Sequence, residues 1–131
     1  MREGLLFPRP GSGRWASPRE ELERLFMFKT LVLFSKRGCP WSKKAKRLLR
    51  ETYRVDPMVY VVELDEIERG REIQEELGRM TGRATVPNLM VSKYSLGGFD
   101  ELNRLHEEGK LAEALHKYGG DRVRNVWNLE S

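Results

Sequence analysis

One cysteine, Cys39, stands in a chain of 131 residues, so no disulfide can close within it. The fold must rest on packing alone, which suits a reducing compartment without demanding one. Histidine is almost as scarce. His106 and His116, even with Cys39, cannot build an ordinary zinc site within one chain; both sit on polar helical stretches and read as solvated surface. No apolar run approaches the length of a membrane span, about 20 residues. Aromatic residues make up 9% of the chain, and the basic residues are not interleaved with them in any pattern of a nucleic-acid interface. Metal enzyme, membrane-spanning protein and nucleic-acid binder are set aside on these grounds.

Charge is what the chain has in quantity. Charged residues are 34% of the total, and the excess of +4 is spread along the chain among 20 acidic residues, which describes a solvated mixed-charge surface. At this length, with 39% apolar residues, one domain around one core is expected. Residues 1–16 carry Gly4, Pro8, Pro10, Gly11 and Gly13 without periodicity and read as a flexible lead-in. Leu5, Leu6 and Phe7 are too short a run for a secretory signal. Arg2, Arg9 and Arg14 would suit a mitochondrial presequence, but the prolines and glycines oppose its amphipathic helix. The compact domain is expected over 17–118, and 119–131 as a polar tail on which Val126 and Trp127 are placed to fold back.

Ser17-Pro18-Arg19-Glu20 is a capping box with proline in the first turn, and Leu22, Leu25 and Phe26 give the helix an apolar face. Residues 30–34 form a continuous apolar run, the mark of a strand buried on both faces. Trp41, Ala45, Leu48, Leu49 and Tyr53 fall on one face of a helix that should run from Pro40 to Arg54–Asp56, before Pro57. Residues 58–64, rich in β-branched side chains, predict a second strand, and 67–80 a helix with Ile73, Leu77 and Met80 inward and Gly82 at its end. Pro87 enters the next strand, 85–91, where it cannot donate to a ladder; a cis bond would explain it. A turn at 92–95 returns the chain through Leu96 to Gly97-Gly98. Asp100 caps a helix bearing Leu102 and Leu105, Gly109 breaks it, and Leu111, Leu115 and Tyr118 mark the last helix.

Cys39 sits where the first strand ends and Pro40 opens a helix, since proline is favoured at the first helical position. Free backbone N–H groups and the positive end of the helix dipole favour negative charge there. Lys36, Arg37, Lys43, Lys44, Lys46 and Arg47 add to it. Two readings of a lone cysteine stand side by side: a small buried hydrophobe in an interaction module, with an ordinary thiol, or a thiolate nucleophile.

The element order β-α-β-α-β-β-α with F-S-K-R-G-C-P-W-S after the first strand resembles the glutaredoxins. Further motifs stand in the expected order: E-L-D at 63–65, I-Q at 73–74, T-V-P-N at 85–88, G-G at 97–98 followed by Asp100, and G-K-L-A-E at 109–113. Within that family, Lys43-Lys44-Ala45-Lys46 is similar to the helix start of fungal monothiol members of the secretory pathway; their N-terminal membrane anchor is not seen in this chain. The resemblance implies an α/β, thioredoxin-like fold: a central four-stranded mixed sheet flanked by helices.

It also implies roles. Cys39 would be the nucleophile that attacks a glutathione mixed disulfide and carries glutathione until a second glutathione releases it. Lys36 would lower the thiol pKa or bind the glycyl carboxylate, which Gln74 would also hold. Val86 would offer backbone N–H and C=O to the cysteinyl part, with Pro87 placing it and Thr85 lining the groove. Gly98, Phe99 and Asp100 would receive the γ-glutamyl end. Trp41 replaces the family's usual tyrosine, as wall of the site or as packed indole. Ser42 replaces the second cysteine of dithiol members, which closes the two-cysteine route while leaving a hydroxyl for the thiolate. The expected partners are glutathione, as co-substrate, and glutathionylated proteins, with the protein a monomer and no resident metal. The alternative within the family is a dimeric [2Fe–2S] carrier in which Cys39 and glutathione ligate the cluster. Pro40, which stiffens the loop, and the missing insertion before the motif speak for the reductase. Location is cytoplasmic by default and the secretory pathway by resemblance.

Overall fold

The computed structural model describes residues 17–130; the expected lead-in, 1–16, lies outside the described residues. Ser17 Oγ accepts the Glu20 N–H at 3.1 Å and starts α1 (Pro18–Phe28). Strand β1 (Leu31–Ser35) follows and is buried throughout. Because side chains alternate along a strand, Leu31 and Leu33 join one core and Val32 and Phe34 the other. The first core takes in Ala45 from α2 (Pro40–Arg47), Leu102 from α4 (Phe99–Glu107), and Leu111 and Leu115 from α5 (Leu111–Gly119). The second joins Leu22 and Leu25 to Ile73 and Leu77 of α3 (Gly70–Thr81), with Phe26 edge-on to Phe34 at 6.2 Å. The apolar run of β1 is thus covered by helices on both faces.

Strand β1 pairs in parallel with β3 (Tyr60–Glu63) and antiparallel with β4 (Asn88–Val91), which carries β5 (Tyr94–Gly97) at the edge. The order β3-β1-β4-β5 is the four-stranded mixed sheet of a thioredoxin-like fold. Its registers set Ser35 opposite Glu63, Phe34 opposite Asn88 and Leu89 opposite Gly97. The loops leaving β1, β3 and β5 and the loop entering β4 therefore meet at one end of the sheet.

The stretch after Arg47 departs from expectation. The helix does not continue toward Asp56. A single wider π turn, Leu48–Thr52, releases the chain into β2 (Tyr53–Asp56), which pairs antiparallel with β6 (Asn125–Asn128). Tyr53 and Val55 point inward and Arg54 outward, so the segment has strand alternation as well as helical spacing; the pairing with Val126 and Trp127 decides between them. Four residues of the stretch read as a polar tail are therefore sheet. Arg124 extends the pairing through its N–H to Asp56 O at 2.8 Å and an ion pair with the Asp56 carboxylate.

His106 also departs from the solvated surface expected of it. It is half-buried, its Nδ1 lies 2.7 Å from the Tyr53 hydroxyl, and its Nε2 faces Glu130 at 3.4 Å. Among the described residues no helix is long and apolar enough to cross a membrane.

Candidate active site

Cys39 is the N-cap of α2, in extended conformation, with Pro40 at the first helical position. Its N–H donates to Lys36 O at 3.0 Å and its carbonyl accepts the Lys43 N–H at 3.1 Å, which closes a tight loop onto the helix. The thiol is half-buried. Burial pushes its pKa up. The Ser42 N–H and hydroxyl, the Trp41 N–H and the Lys36 charge together outweigh burial, and the thiol lies below its ordinary value. Ser42 is fully buried, and its Oγ accepts the Lys36 N–H at 3.3 Å, which leaves its proton for the sulfur.

The loop 36–38 is fixed from below by acids. Both Asp65 oxygens accept the Arg37 N–H at 3.1 Å. That bond chiefly, with the Gly38 N–H and Lys36 charge, holds the Asp65 carboxyl below its ordinary range against the opposing effect of burial. The Arg37 guanidinium pairs with Glu66. Glu63 receives Ser35 Oγ at 2.8 Å and Lys46 Nζ at 2.7 Å, an ion pair largely shielded from water. Of the six cations counted around Cys39 in the sequence, Arg37 and Lys46 are thus paired with acids.

Beside the loop runs a groove of about 180 Å³. Trp41, Thr85, Val86, Pro87, Gly98, Phe99 and Asp100 line it, seven of the residues singled out from the sequence. The Val86–Pro87 bond is cis, as expected for a proline entering this strand. A second cis bond, Asp56–Pro57, was not anticipated. Trp41 is half-exposed at the rim, tilted against Phe99 at 6.1 Å, with Lys44 Nζ 4.4 Å above its ring. It walls the groove rather than packing inside.

Lys36 and Gln74 do not line the groove. Lys36 stands beside the thiol. Gln74 Nε2 donates to Ala84 O at 2.7 Å, so its amide braces the segment leading to Val86. Arg83 and Glu101 do line the groove and were missed. Glu101 had a signal: it stands three residues after Gly98, at capping-box spacing, and its Oε1 accepts the Gly98 N–H at 2.8 Å. Burial raises the Glu101 carboxyl, but that bond, its own backbone N–H and Arg83 bring it below the ordinary range.

Comparison with known proteins agrees with this geometry. The Glutaredoxin family pattern matches residues 31–94. Monothiol glutaredoxin-7 of Saccharomyces cerevisiae is 40% identical over 98 residues, 75% of this chain and 48% of its own length. Monothiol glutaredoxin-3 of Schizosaccharomyces pombe is 36% identical over 99 residues, 76% of this chain and 60% of its own. The chain thus spans about half to three fifths of the length of these relatives. A solved buckwheat glutaredoxin–glutathione complex superposes with a TM-score of 0.67 at 31% identity, covering 78% of this chain and 90% of that one. With the fold, the Cys-Pro turn and the cis-proline groove already in place, this likeness settles the relationship: the chain belongs to the glutaredoxin family and, with Ser42 where a second cysteine would stand, to its monothiol form.

Proposed function

We propose that the protein is a glutathione-dependent thiol–disulfide oxidoreductase that reduces glutathione mixed disulfides through Cys39 alone. The observation that carries this reading is a thiol lowered in pKa at a helix N-terminus, separated only by Pro40 from the tryptophan that walls the groove. In the first step the Cys39 thiolate attacks the glutathione sulfur of a mixed disulfide. The S–S bond to the protein's cysteine breaks, the protein leaves as thiolate, and Cys39 holds glutathione. In the second step a glutathione thiolate attacks that glutathione sulfur, the bond to Cys39 breaks, and oxidised glutathione leaves with Cys39 restored. Each step exchanges one S–S bond for another, so electrons balance, and the covalent intermediate predicts ping-pong kinetics.

The groove residues take supporting roles in this reading. Val86 pairs its backbone with the cysteinyl residue as an added strand would. Thr85 and Pro87 form the ledge on either side, and Gln74 steadies the ledge through Ala84 O, with its second amide hydrogen left for the glycyl carboxylate. Lys36 lowers the thiol and stands at the glycyl end. Asp100 meets the γ-glutamyl ammonium, beside the N–H groups of Phe99 and Asp100 at the start of α4. Trp41 and Phe99 cover the cysteinyl methylene and sulfur in the middle of the tripeptide. The buckwheat relative was solved with glutathione, which supports glutathione as the co-substrate.

Pro40, which removes a backbone donor and stiffens the loop at Cys39, speaks against a [2Fe–2S] cluster. This chain supplies one thiolate. Two copies and two exogenous thiols would be required. The chemistry proposed here runs without it.

Replacing Cys39 with Ser tests the reading. Turnover of a small glutathione mixed disulfide should vanish, and the ultraviolet absorbance of the wild-type thiolate should titrate below a free cysteine. Retained turnover in Cys39→Ser would refute it, since no other thiol exists. A brown dimer formed anaerobically with iron, sulfide and glutathione, at the expense of turnover, would put the carrier in its place.

A further inference from the structure

The wider turn after α2 leaves a second concavity, built from other residues than the thiol groove. A cleft of about 290 Å³ opens between the π turn Leu48–Thr52, β2 and Leu129 beyond β6. Leu49, Tyr53, Val55 and Val59 are buried and form its floor. Met58, 78% exposed, and Leu129, 56% exposed, stand at its mouth. Arg50 and Arg54 complete the lining. The cleft shares no residue with the groove beside Cys39.

Its charge is of one sign. Arg50 and Arg54 are exposed, and neither has an ion-pair partner among the described residues. Arg37, Arg79 and Arg124, by contrast, pair with Glu66, Glu76 and Asp56. Lys43 and Arg47, exposed and one turn apart on α2, are likewise without an acid and continue the charge along the helix. Glu51 is the one acid between Pro40 and Val55, and it does not line the cleft. Glu130, next to Leu129, is turned to His106. Trp127, half-exposed, lies across the ribbon from Arg54 and adds apolar surface beside it.

Arginine, methionine and aromatic side chains are enriched where proteins meet, and an unbranched methionine adapts to apolar side chains of differing shape. The floor is recessed behind the arginines. A membrane surface would need apolar side chains that project about 5–10 Å into the headgroup boundary; this cleft receives a side chain instead of inserting one. Guanidinium forks at the rim match carboxylates in bidentate pairs. Charge and shape together specify a peptide with an apolar anchor flanked by acids.

We propose that the cleft docks an acidic segment of a partner protein, its apolar side chain entering between Met58 and Leu129 and its carboxylates meeting Arg50 and Arg54. The site goes beyond the glutathione reading and does not depend on it. A partner held there leaves the thiol groove open.

A random dodecapeptide library displayed on phage and selected against the immobilised full chain tests the proposal. Enriched peptides should combine a large apolar residue with flanking Asp or Glu. In fluorescence anisotropy, Arg50→Glu/Arg54→Glu should weaken their binding about tenfold or more, because like charges then face one another. Lys93→Glu/Lys110→Glu makes the same change in net charge at exposed positions outside the cleft and should weaken it much less. Met58→Ala should weaken it about fourfold or more, the worth of a buried methylene group. These variants should keep the turnover of the wild type, and Cys39→Ser should bind the peptides as the wild type does, so failure of the glutathione reading would leave docking intact. Enriched peptides without acids, an equal loss in the two charge-reversed proteins, unaltered binding in Arg50→Glu/Arg54→Glu, or no enrichment at all overturns the proposal. Cosedimentation with phosphatidylserine vesicles that is lost in Arg50→Glu/Arg54→Glu, in place of peptide enrichment, would assign the patch to a membrane surface and overturn it as well. Should the charge-reversed protein not fold, Arg50→Gln/Arg54→Gln and Met58→Ala decide on the same peptides.

Discussion

The two sheets of this molecule hold their polar groups in opposite ways. At the loop end of the four-stranded sheet, positions are set by backbone: an N-cap at Cys39, a cis bond before Pro87, a glycine at φ +127°. That leaves a thiol and a groove turned toward solvent. At the β2–β6 ribbon, side chains close on one another: Tyr53 with His106, His106 with Glu130, Asp56 with Arg124. The first arrangement keeps reactive atoms free, and the second uses polar atoms to fasten the C-terminal strand to α4 and β2. Substitutions in the ribbon should therefore change stability without touching chemistry, and substitutions near the thiol should do the reverse.

Tyr53→Ala should have the largest effect on stability. Tyr53 is 2% exposed, and its removal leaves a cavity and takes the hydroxyl partner from His106 Nδ1. About 3–5 kcal/mol should be lost, read from urea unfolding, with turnover per folded molecule unchanged. Slower turnover in the folded fraction would break the division, because the ribbon would then be steering α4 and the groove. Gly97→Ala should cost less, about 1–3 kcal/mol, from forcing φ +127° on a residue with a Cβ that meets Glu101. It sits at the boundary, so glutathione affinity should fall together with the thermal midpoint. A stability loss with full affinity would show that the Glu101 contact with Gly98 is not needed for binding.

What could be read from the sequence follows the same line. The strand of apolar residues before Cys39, the Cys-Pro turn, T-V-P-N and G-G are local signals, each fixed by a few neighbouring residues, and the structure brings them to one end of the sheet. The ribbon is not local. Tyr53-Arg54-Val55-Asp56 alternates for only four residues, while Leu49 and Tyr53 also keep helical spacing, so periodicity favours the wrong element until Val126 is known to lie across from Val55. Gln74 shows another limit. Spacing places it on the correct helix but cannot tell an amide aimed at a ligand from one bonded to Ala84 O. Arg83 and Glu101 were each in view, one beside T-V-P-N and one at capping distance from Gly98, yet nothing linear indicates that they meet.

Ser42→Ala tests the groove side of the comparison. It removes a hydroxyl that helps hold the thiol below its ordinary value, so the Cys39 pKa should rise. Thiolate accumulates as pH rises through that pKa. The variant should thus be slower at neutral pH and reach its plateau at higher pH than the wild type. A more basic thiolate is intrinsically more nucleophilic, so the two rates should converge or cross once both thiols are ionised. A pH–rate profile measures this directly. An unshifted limb would leave the Ser42 and Trp41 N–H groups and Lys36 as the determinants.

The smallest expected effect is that of Glu101→Gln on acid stability. Glu101 has its folded-state pKa depressed, so its carboxylate contributes to folding above the ordinary value of 4.5 and loses that contribution as pH falls through the lower folded value. With a third of the side chain exposed, solvent screening keeps the contribution small. Wild type and Glu101→Gln should differ slightly at neutral pH and merge under acid, where both side chains are neutral. Asp65, Glu66 and Glu76 are depressed as well, and the variant leaves them unchanged. A loss at neutral pH as large as that of Tyr53→Ala would mean that the Arg83–Glu101 pair fastens the fold as the ribbon does, and the groove would no longer be the region whose charges are kept for a ligand.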